Sequence, residues 1–204
     1  MNEEAVSSPG TARGSAGAAR TRGDSLPAAL KVLVVVGHPR ATSLAGGLAA
    51  AYAAGATRAG ARVELLELAG LDFDPHVRTR RFADQSVEPD LERAAALIAW
   101  ADHLVFAYPT WWGTMPALLK GFLDRVLAPR FAFEEVGQAG YRALLTGKTA
   151  ELLTTTDTPR WVWRWIYGAP GDRAMARAIL GFCGIRVVRI GRFGPVRSLS
   201  LIHI

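Results

Sequence analysis

The chain has 204 residues, 50% of them hydrophobic and 21% charged, which is enough for one domain with a substantial core. Its net charge of +6 comes from scattered arginines without a basic, aromatic-interleaved stripe, so nucleic-acid binding is not expected. The single cysteine, Cys183, excludes an internal disulfide and fits a cytoplasmic location, and its apolar surroundings predict a buried thiol. Apolar stretches fall short of the ~20 residues that a membrane span needs, so membrane insertion is not expected either.

Short apolar runs alternate with helical patterns along the chain. Residues 1–28 are rich in Ala, Gly, Ser and Arg and predict a disordered tail. The five predicted strands cover residues 30–37, 61–68, 103–108, 149–158 and 185–190. The predicted helices cover residues 43–58, 89–101 and 170–182, with one more starting at Pro116. This alternation predicts an α/β fold with a parallel sheet, and residues 128–148 are interpreted as an excursion beside it.

The helix that starts at Pro116 has an apolar face and a charged face. Leu118, Leu119, Phe122 and Val126 recur at three-to-four-residue spacing, which predicts that they face the core. Lys120, Asp124 and Arg125 are predicted to occupy the other face.

The loop after the first strand has the features of an anion-binding site. His38 to Thr42 is polar, and a helix follows from Ser43, so free backbone N–H groups meet the positive end of a helix dipole. His38 and Arg40 are interpreted as sources of positive charge. A plain helix N-cap at Thr42 or Ser43 explains the same residues equally well.

Two further loops follow predicted strands. Pro109 to Gly113 carries Trp111 and Trp112, which suit either packing or a flat ligand. Thr154 to Thr158 offers hydroxyl groups, either to the edge of a heteroaromatic ring or simply to a Ser/Thr turn. The carboxyl ends of parallel strands meet at one edge, so the three loops together predict a site for the phosphate, the faces and the polar edge of a flavin.

The segment 159–167 brings Trp161, Trp163 and Trp165 close together. Their spacing places the indoles on one side only if the segment is extended. We interpret the segment as a lid over the site or as a dimer surface.

Four segments resemble the flavodoxin-like NAD(P)H:quinone oxidoreductases, a family that includes bacterial NAD(P)H dehydrogenases and modulators of drug activity. They are GHPRATSLA (37–45), FAYPTWWGTMPALLKGFLDRVL (106–127), LLTTTDTP (152–159) and YGAPGDRAMARAILGFCGIRVV (167–188). The resemblance implies a flavodoxin-like three-layer sandwich with a five-stranded parallel sheet of order 2-1-3-4-5. It also implies noncovalently bound FMN or FAD, with NAD(P)H as co-substrate.

The resemblance assigns residues to parts of the flavin site by position. The cofactor-binding candidates are His38, Arg40, Thr42, Ser43, Leu44 and Ala45 at the phosphate end, Pro109, Thr110, Trp111, Trp112 and Gly113 along the ring, and Thr155, Thr156, Asp157 and Thr158 at its polar edge. Some relatives have a Gly-rich last loop followed by a Tyr and a His, whereas this chain has Asp157 and Pro159. No catalytic histidine is therefore assigned, Tyr167 is the candidate catalytic residue, and no metal site is predicted.

The implied activity is hydride transfer from NAD(P)H through the flavin to a quinone or similar acceptor by a ping-pong mechanism. The alternative is a non-enzymatic flavin protein, either an electron carrier or a regulatory subunit docked on a membrane transporter. The resemblance also implies a homodimer with the active site at the interface. The sequence leaves open FMN against FAD, NADH against NADPH, and the natural acceptor.

The end of the chain departs from the family pattern. Relatives continue past FGPV (193–196) into a final helix, whereas here residues 198–204 form a short tail. We interpret this tail as truncated or non-native. The folded, flavin-binding domain is accordingly predicted at residues 29–197.

Overall fold

The structure, a computed structural model, describes residues 28–80, 84–137 and 140–198. The predicted terminal tails lie outside these residues, apart from residues 28 and 198. Burial of the Cys183 thiol is confirmed, and burial raises its pKa to about 11.

The five strands that were predicted form one parallel sheet. In chain order the strands are β1 Lys31–Val36, β2 Arg62–Glu67, β3 His103–Pro109, β4 Phe133–Val136, β5 Gly140–Ala143, β6 Thr149–Thr155 and β7 Arg186–Phe193. The sheet has the order β2-β1-β3-β6-β7, which confirms the predicted 2-1-3-4-5 topology. Strands β4 and β5 pair with each other as an antiparallel hairpin outside this sheet, as expected of residues 128–148.

Helices cover both faces of the sheet. The α-helices are α1 Leu44–Arg58, α2 Pro89–Trp100, α3 Ala117–Val126 and the short α4 Pro170–Arg173. Helix α4 continues as π-type turns over Ala174–Leu180, and a second π-type segment covers Val162–Ile166. No helix among the described residues is long and apolar enough to cross a membrane.

Strand β1 is buried on both faces of the sheet, which explains why its sequence is almost continuously apolar. Leu33 and Val35 enter a large core, to which α2 and α3 contribute buried side chains. Val32, Val34 and Val36 enter a smaller core on the opposite face, which includes the α1 residue Ala49. A strand that is covered on both faces needs no polar positions, so the run KVLVVV predicts a central strand correctly.

Helix α3 differs from its predicted pattern at one position. Arg125 is buried, and it pairs with Glu88 at 2.7 Å and donates to the backbone oxygens of Asp74 and Ser86. Its prediction as a surface residue is therefore wrong. The buried guanidinium group is stabilised because the loop before α2 supplies both a carboxylate and carbonyl acceptors.

Candidate functional site

The loop between β1 and α1 is a capped helix start. Ser43 is the N-cap of α1, and its Oγ accepts the backbone N–H of Gly46 at 3.1 Å. The N-cap interpretation is therefore confirmed. No acidic residue lies in the first turn, so nothing there opposes an anion at the positive end of the helix dipole.

His38 lies buried beside this helix start. Its Nδ1 accepts the backbone N–H of Arg40 at 3.0 Å, and its ring meets that of Trp111 edge to face at 5.5 Å. Burial, reinforced by the charge of Arg40, lowers the pKa of His38, so the ring is neutral near pH 7. This lowered pKa runs against the expectation that His38 supplies positive charge. With Nδ1 occupied as an acceptor, the neutral ring carries its proton on Nε2 and can donate there.

The aromatic turn after β3 is held as a tight hairpin. Trp111 and Thr114 exchange backbone hydrogen bonds of 2.8 and 3.0 Å, and the two residues between them, Trp112 and Gly113, both have positive φ. This is the geometry of a two-residue turn of the I′ kind, which glycine adopts without strain. As a result, the indole of Trp112 is fully exposed.

The hydroxyl loop after β6 is tied to the aromatic turn. The backbone N–H of Thr110 donates to the carbonyl of Thr155 at 2.7 Å. Thr156 is buried, and its hydroxyl oxygen accepts the backbone N–H of Thr158 at 3.1 Å. The exposed carboxylate of Asp157 accepts the backbone N–H of Arg197 at 2.8 Å and pairs with its side chain.

The three loops line two adjoining clefts at the carboxyl edge of the sheet, as predicted. The small cleft, of about 180 Å³, is lined by His38, Arg40, Ser43, Leu44, Ala45, Pro109, Thr110, Trp111, Thr155, Thr156, Asp157 and Val196. The large cleft, of about 470 Å³, is lined by Thr110, Trp112, Gly113, Thr156, Thr158, Trp163, Tyr167 and Pro170. Thr110 and Thr156 border both, and we call the pair the edge clefts.

Most of the predicted site residues therefore meet in one place. Thr42 is the exception, since it borders neither cleft. The sequence analysis missed Val196 and Pro170 and did not single out Trp163. Val196 is the last residue of the quoted FGPV segment and Pro170 lies within YGAPGD, but neither residue carries a functional group that would have marked it.

The three tryptophans of residues 159–167 do not act as one unit. The segment is helical over Val162–Ile166, so an extended arrangement with all indoles on one side is wrong. Trp163 is buried and donates from Nε1 to the Asp172 carboxylate at 3.1 Å. Trp161 and Trp165 are exposed.

A third cleft, which we call the arginine cleft, shares Trp163 with the large cleft and has a volume of about 590 Å³. A single acidic residue, Asp172, lines it together with five arginines: Arg160, Arg164, Arg173, Arg177 and Arg192. Arg192 forms an ion pair with Asp172 and lies over the Trp163 ring. Trp161, Trp165, Gly168, Ala169, Ala176 and Ile190 complete the lining.

Comparison with known proteins agrees with this architecture. Residues 30–200 match the family described as having a flavodoxin-like fold. The chain is 29% identical over 168 residues to ribosyldihydronicotinamide dehydrogenase-like protein traD of Penicillium crustosum, covering 70% of this chain and 61% of that protein. It is 28% identical over 191 residues to ribosyldihydronicotinamide dehydrogenase [quinone] of Pongo abelii, covering 78% of each.

A solved structure gives the same picture. The crystal structure of Smu.1420 from Streptococcus mutans UA159 superposes with a TM-score of 0.68 at 30% identity, covering 85% of this chain and 92% of that one. The sheet order, the three loops at its carboxyl edge and the family match over residues 30–200 agree with one another. This chain therefore belongs to the flavodoxin-like fold family.

Proposed function

We propose that this protein is a flavin-dependent NAD(P)H oxidoreductase that reduces a quinone or a similar acceptor. The observation that carries the proposal is the meeting of an anion-type helix start, an aromatic turn and a hydroxyl loop at the edge clefts. The names of the curated relatives, a ribosyldihydronicotinamide dehydrogenase [quinone] and a protein like it, support the same reaction class.

The small cleft suits the phosphate end of FMN or FAD. The first turn of α1 presents backbone N–H groups at Leu44 and Ala45, beside the Ser43 cap. His38 adds a neutral Nε2–H donor and Arg40 adds a positive charge. These are the donors that a phosphate group accepts from in proteins.

The large cleft suits the isoalloxazine ring. Its volume of about 470 Å³ falls within the range of small-molecule sites, and the indole of Trp112 stands free at its border. Thr156 and Thr158 line this cleft and would offer polar contacts to the carbonyl and N–H groups of the ring. The buried hydroxyl of Thr156 is held in place by the Thr158 backbone, so its orientation is preorganised.

A bound flavin would supply the redox chemistry, taking hydride from NAD(P)H and passing it to the acceptor in two half-reactions of ping-pong type. The protein's own residues would bind and orient the flavin and the substrates. Trp112, Trp163 and Pro170 give the large cleft apolar walls, while Tyr167 lines the same cleft and is the candidate proton donor. We further propose that the exposed aromatic surface around Trp165 and Tyr167 contacts a second copy of the chain, so that the clefts open at the interface of a homodimer.

Initial-rate kinetics of the flavin-loaded full-length protein test this function. NADH or NADPH is varied at several fixed concentrations of menadione. The proposal predicts menadione-dependent oxidation of a reduced nicotinamide, with parallel double-reciprocal lines. An electron carrier would show no such turnover while exchanging electrons with a reductase, and that outcome would overturn the enzymatic assignment.

A further inference from the structure

We propose that the arginine cleft binds the phosphorylated adenosine half of the nicotinamide co-substrate and selects NADPH over NADH by its 2′-phosphate. This inference rests on the proposed function, since it names the co-substrate of the same site. It concerns a region that none of the predicted flavin contacts occupies.

The first observation is an excess of positive charge around one cavity. Five arginines and one aspartate line the cleft, and the aspartate, Asp172, already forms an ion pair with Arg192. Arg160, Arg164, Arg173 and Arg177 form no ion pair with any acidic residue in the described part of the chain. Like charges gathered around a cleft repel one another, and a multivalent anion relieves that repulsion.

The second observation is a buried donor without a partner on Arg192, a residue that lines the cleft. Nη1 of Arg192 is buried and has no hydrogen-bond partner among the described residues, although Nη2 contacts Asp172. The Tyr108 hydroxyl is likewise buried without a partner. Tyr108 and Arg192 are both paired in register with Thr154 on β6, so they lie in one row across the sheet. A buried donor without an acceptor is costly, and an anion that reaches Nη1 would satisfy it.

The pKa of Arg192 reflects the positive charge that surrounds it. Burial lowers the pKa of Arg192, and the charge of the nearby Arg160 lowers it further against the opposing influence of Tyr108. A phosphate group bound between Arg160 and Arg192 would reverse this destabilisation of the charged form.

The aromatic lining narrows the ligand to a nucleotide. The exposed rings of Trp161 and Trp165 border the cleft, and the Arg164 guanidinium group lies over the Trp165 ring at 5.3 Å. Flat indoles beside guanidinium groups suit a purine that carries phosphates. In nucleotide sites elsewhere, arginine is the residue that accommodates the 2′-phosphate of NADP.

The position of the cleft fits the shape of a dinucleotide. Trp163 borders both the large cleft and the arginine cleft. Tyr167 and Pro170 line the large cleft, and Gly168 and Ala169 between them line the arginine cleft. A nicotinamide ring stacked on a flavin in the large cleft would therefore leave its adenosine end beside the arginines. Both halves of one dinucleotide would then border Trp163.

Calorimetric titration of the full-length protein with 2′,5′-ADP and with 5′-AMP tests the inference without any turnover. These probes differ by the 2′-phosphate alone. We expect 2′,5′-ADP to bind at least about tenfold more tightly, which is the effect of one charge-assisted hydrogen-bonding group. Equal affinities, or no binding of either probe, would overturn the inference.

Variants locate the effect. Arg173→Gln combined with Arg177→Gln should weaken 2′,5′-ADP binding by roughly tenfold or more. Arg93→Gln, which removes an exposed arginine on α2 outside the cleft, should not change it. If the double variant binds 2′,5′-ADP like the wild type, the assignment to this cleft is wrong. If the double variant melts far below the wild type, the inference is decided by the affinities of the two probes for the wild-type chain alone.

Kinetics separate this inference from the proposed function. With flavin bound, the KM for NADPH should be about tenfold below that for NADH, and the cleft variants should remove the difference. Turnover with equal KM values would contradict the cleft assignment but leave the oxidoreductase intact. Absence of turnover with both nucleotides would count against the proposed function, while the calorimetric result would still stand.

Discussion

The edge clefts and the arginine cleft adjoin at Trp163 but differ in the donors they offer. The edge clefts are built from three loops at strand ends, and most of their donors are neutral: hydroxyl groups, backbone N–H groups and the uncharged imidazole of His38. The arginine cleft is built mainly from residues 160–177, and its donors are guanidinium groups. Neutral donors that are held in place suit a cofactor that stays bound. Charged arginine side chains suit an anion that exchanges with solution and whose binding weakens as the salt concentration rises.

Asp172→Asn should produce the largest change in stability. The amide oxygen can still accept from Trp163, but the ion pair with the nearly buried Arg192 is lost. Removing one partner of such a pair should lower the free energy of unfolding by about 3 kcal/mol. Urea denaturation measures the loss. Asp124→Asn breaks the exposed pair with Lys120 at 2.6 Å and should cost less than about 1 kcal/mol. Equal losses in the two variants would mean that Asp172 does not anchor the wall between the clefts.

Gly171→Ala should disturb the edge clefts through the aromatic turn. A Cβ at this position would lie 2.7 Å from the Gly113 oxygen and 2.9 Å from the Thr114 Cα, so backbone must shift. We expect about 2 kcal/mol of destabilisation together with weaker flavin binding. Gly47→Ala is the matched control, because nothing lies within 4 Å of its added methyl group and alanine favours the helix by about 0.5–1 kcal/mol. Thermal melts and flavin titrations compare the two variants. Normal flavin affinity in Gly171→Ala would contradict the expected disturbance of the edge clefts.

Thr156→Val should separate the edge clefts from the arginine cleft functionally. The substitution removes a buried hydroxyl that borders both edge clefts and accepts the Thr158 N–H. The flavin dissociation constant should rise roughly tenfold, as expected for one lost hydrogen bond and an unpaired N–H. Binding of 2′,5′-ADP should not change, and Thr57→Val on the exposed face of α1 should affect neither ligand. A parallel loss of both ligands would show that the clefts are one site.

The smallest expected effect is the pH dependence that His38 contributes. Its pKa is lower in the folded protein than in the unfolded chain, so between those two values the unfolded state binds more protons. This contribution to stability is complete above the unfolded pKa, about 6.5, and is lost as the pH falls through the folded pKa. His38→Gln should therefore flatten the dependence of the melting temperature on pH below neutrality. His103, whose pKa burial also lowers, should retain its share in that variant. An unchanged pH profile would contradict the neutral, buried imidazole.

Much of this arrangement could be predicted from sequence for a definite physical reason. Apolar runs such as KVLVVV identify strands buried on both faces, and parallel strands present their carboxyl ends at one edge. The meeting of residues 38–45, 109–113 and 155–158 follows from those two facts. Even so, strand β7 extends to Phe193 rather than Ile190, because Gly191, Arg192 and Phe193 also pair with β6.

Long-range polar pairs could not be predicted. Arg125 is buried because Glu88 and two backbone carbonyls surround it, and no local spacing indicates such partners. Asp172 pairs with Arg192 twenty residues later in the chain and accepts from Trp163. The arginine cleft escaped the sequence analysis for the same reason, since its five arginines are spread over residues 160–192 and only the fold gathers them.

The central claim is that the edge clefts hold a flavin, and cofactor retention tests it most directly. The full-length protein is purified, its absorbance spectrum is recorded, and the bound cofactor is released by denaturation and identified by chromatography. We expect a yellow protein that releases FMN or FAD at close to one molecule per chain. A colourless protein that leaves both added flavins free in equilibrium dialysis would contradict it.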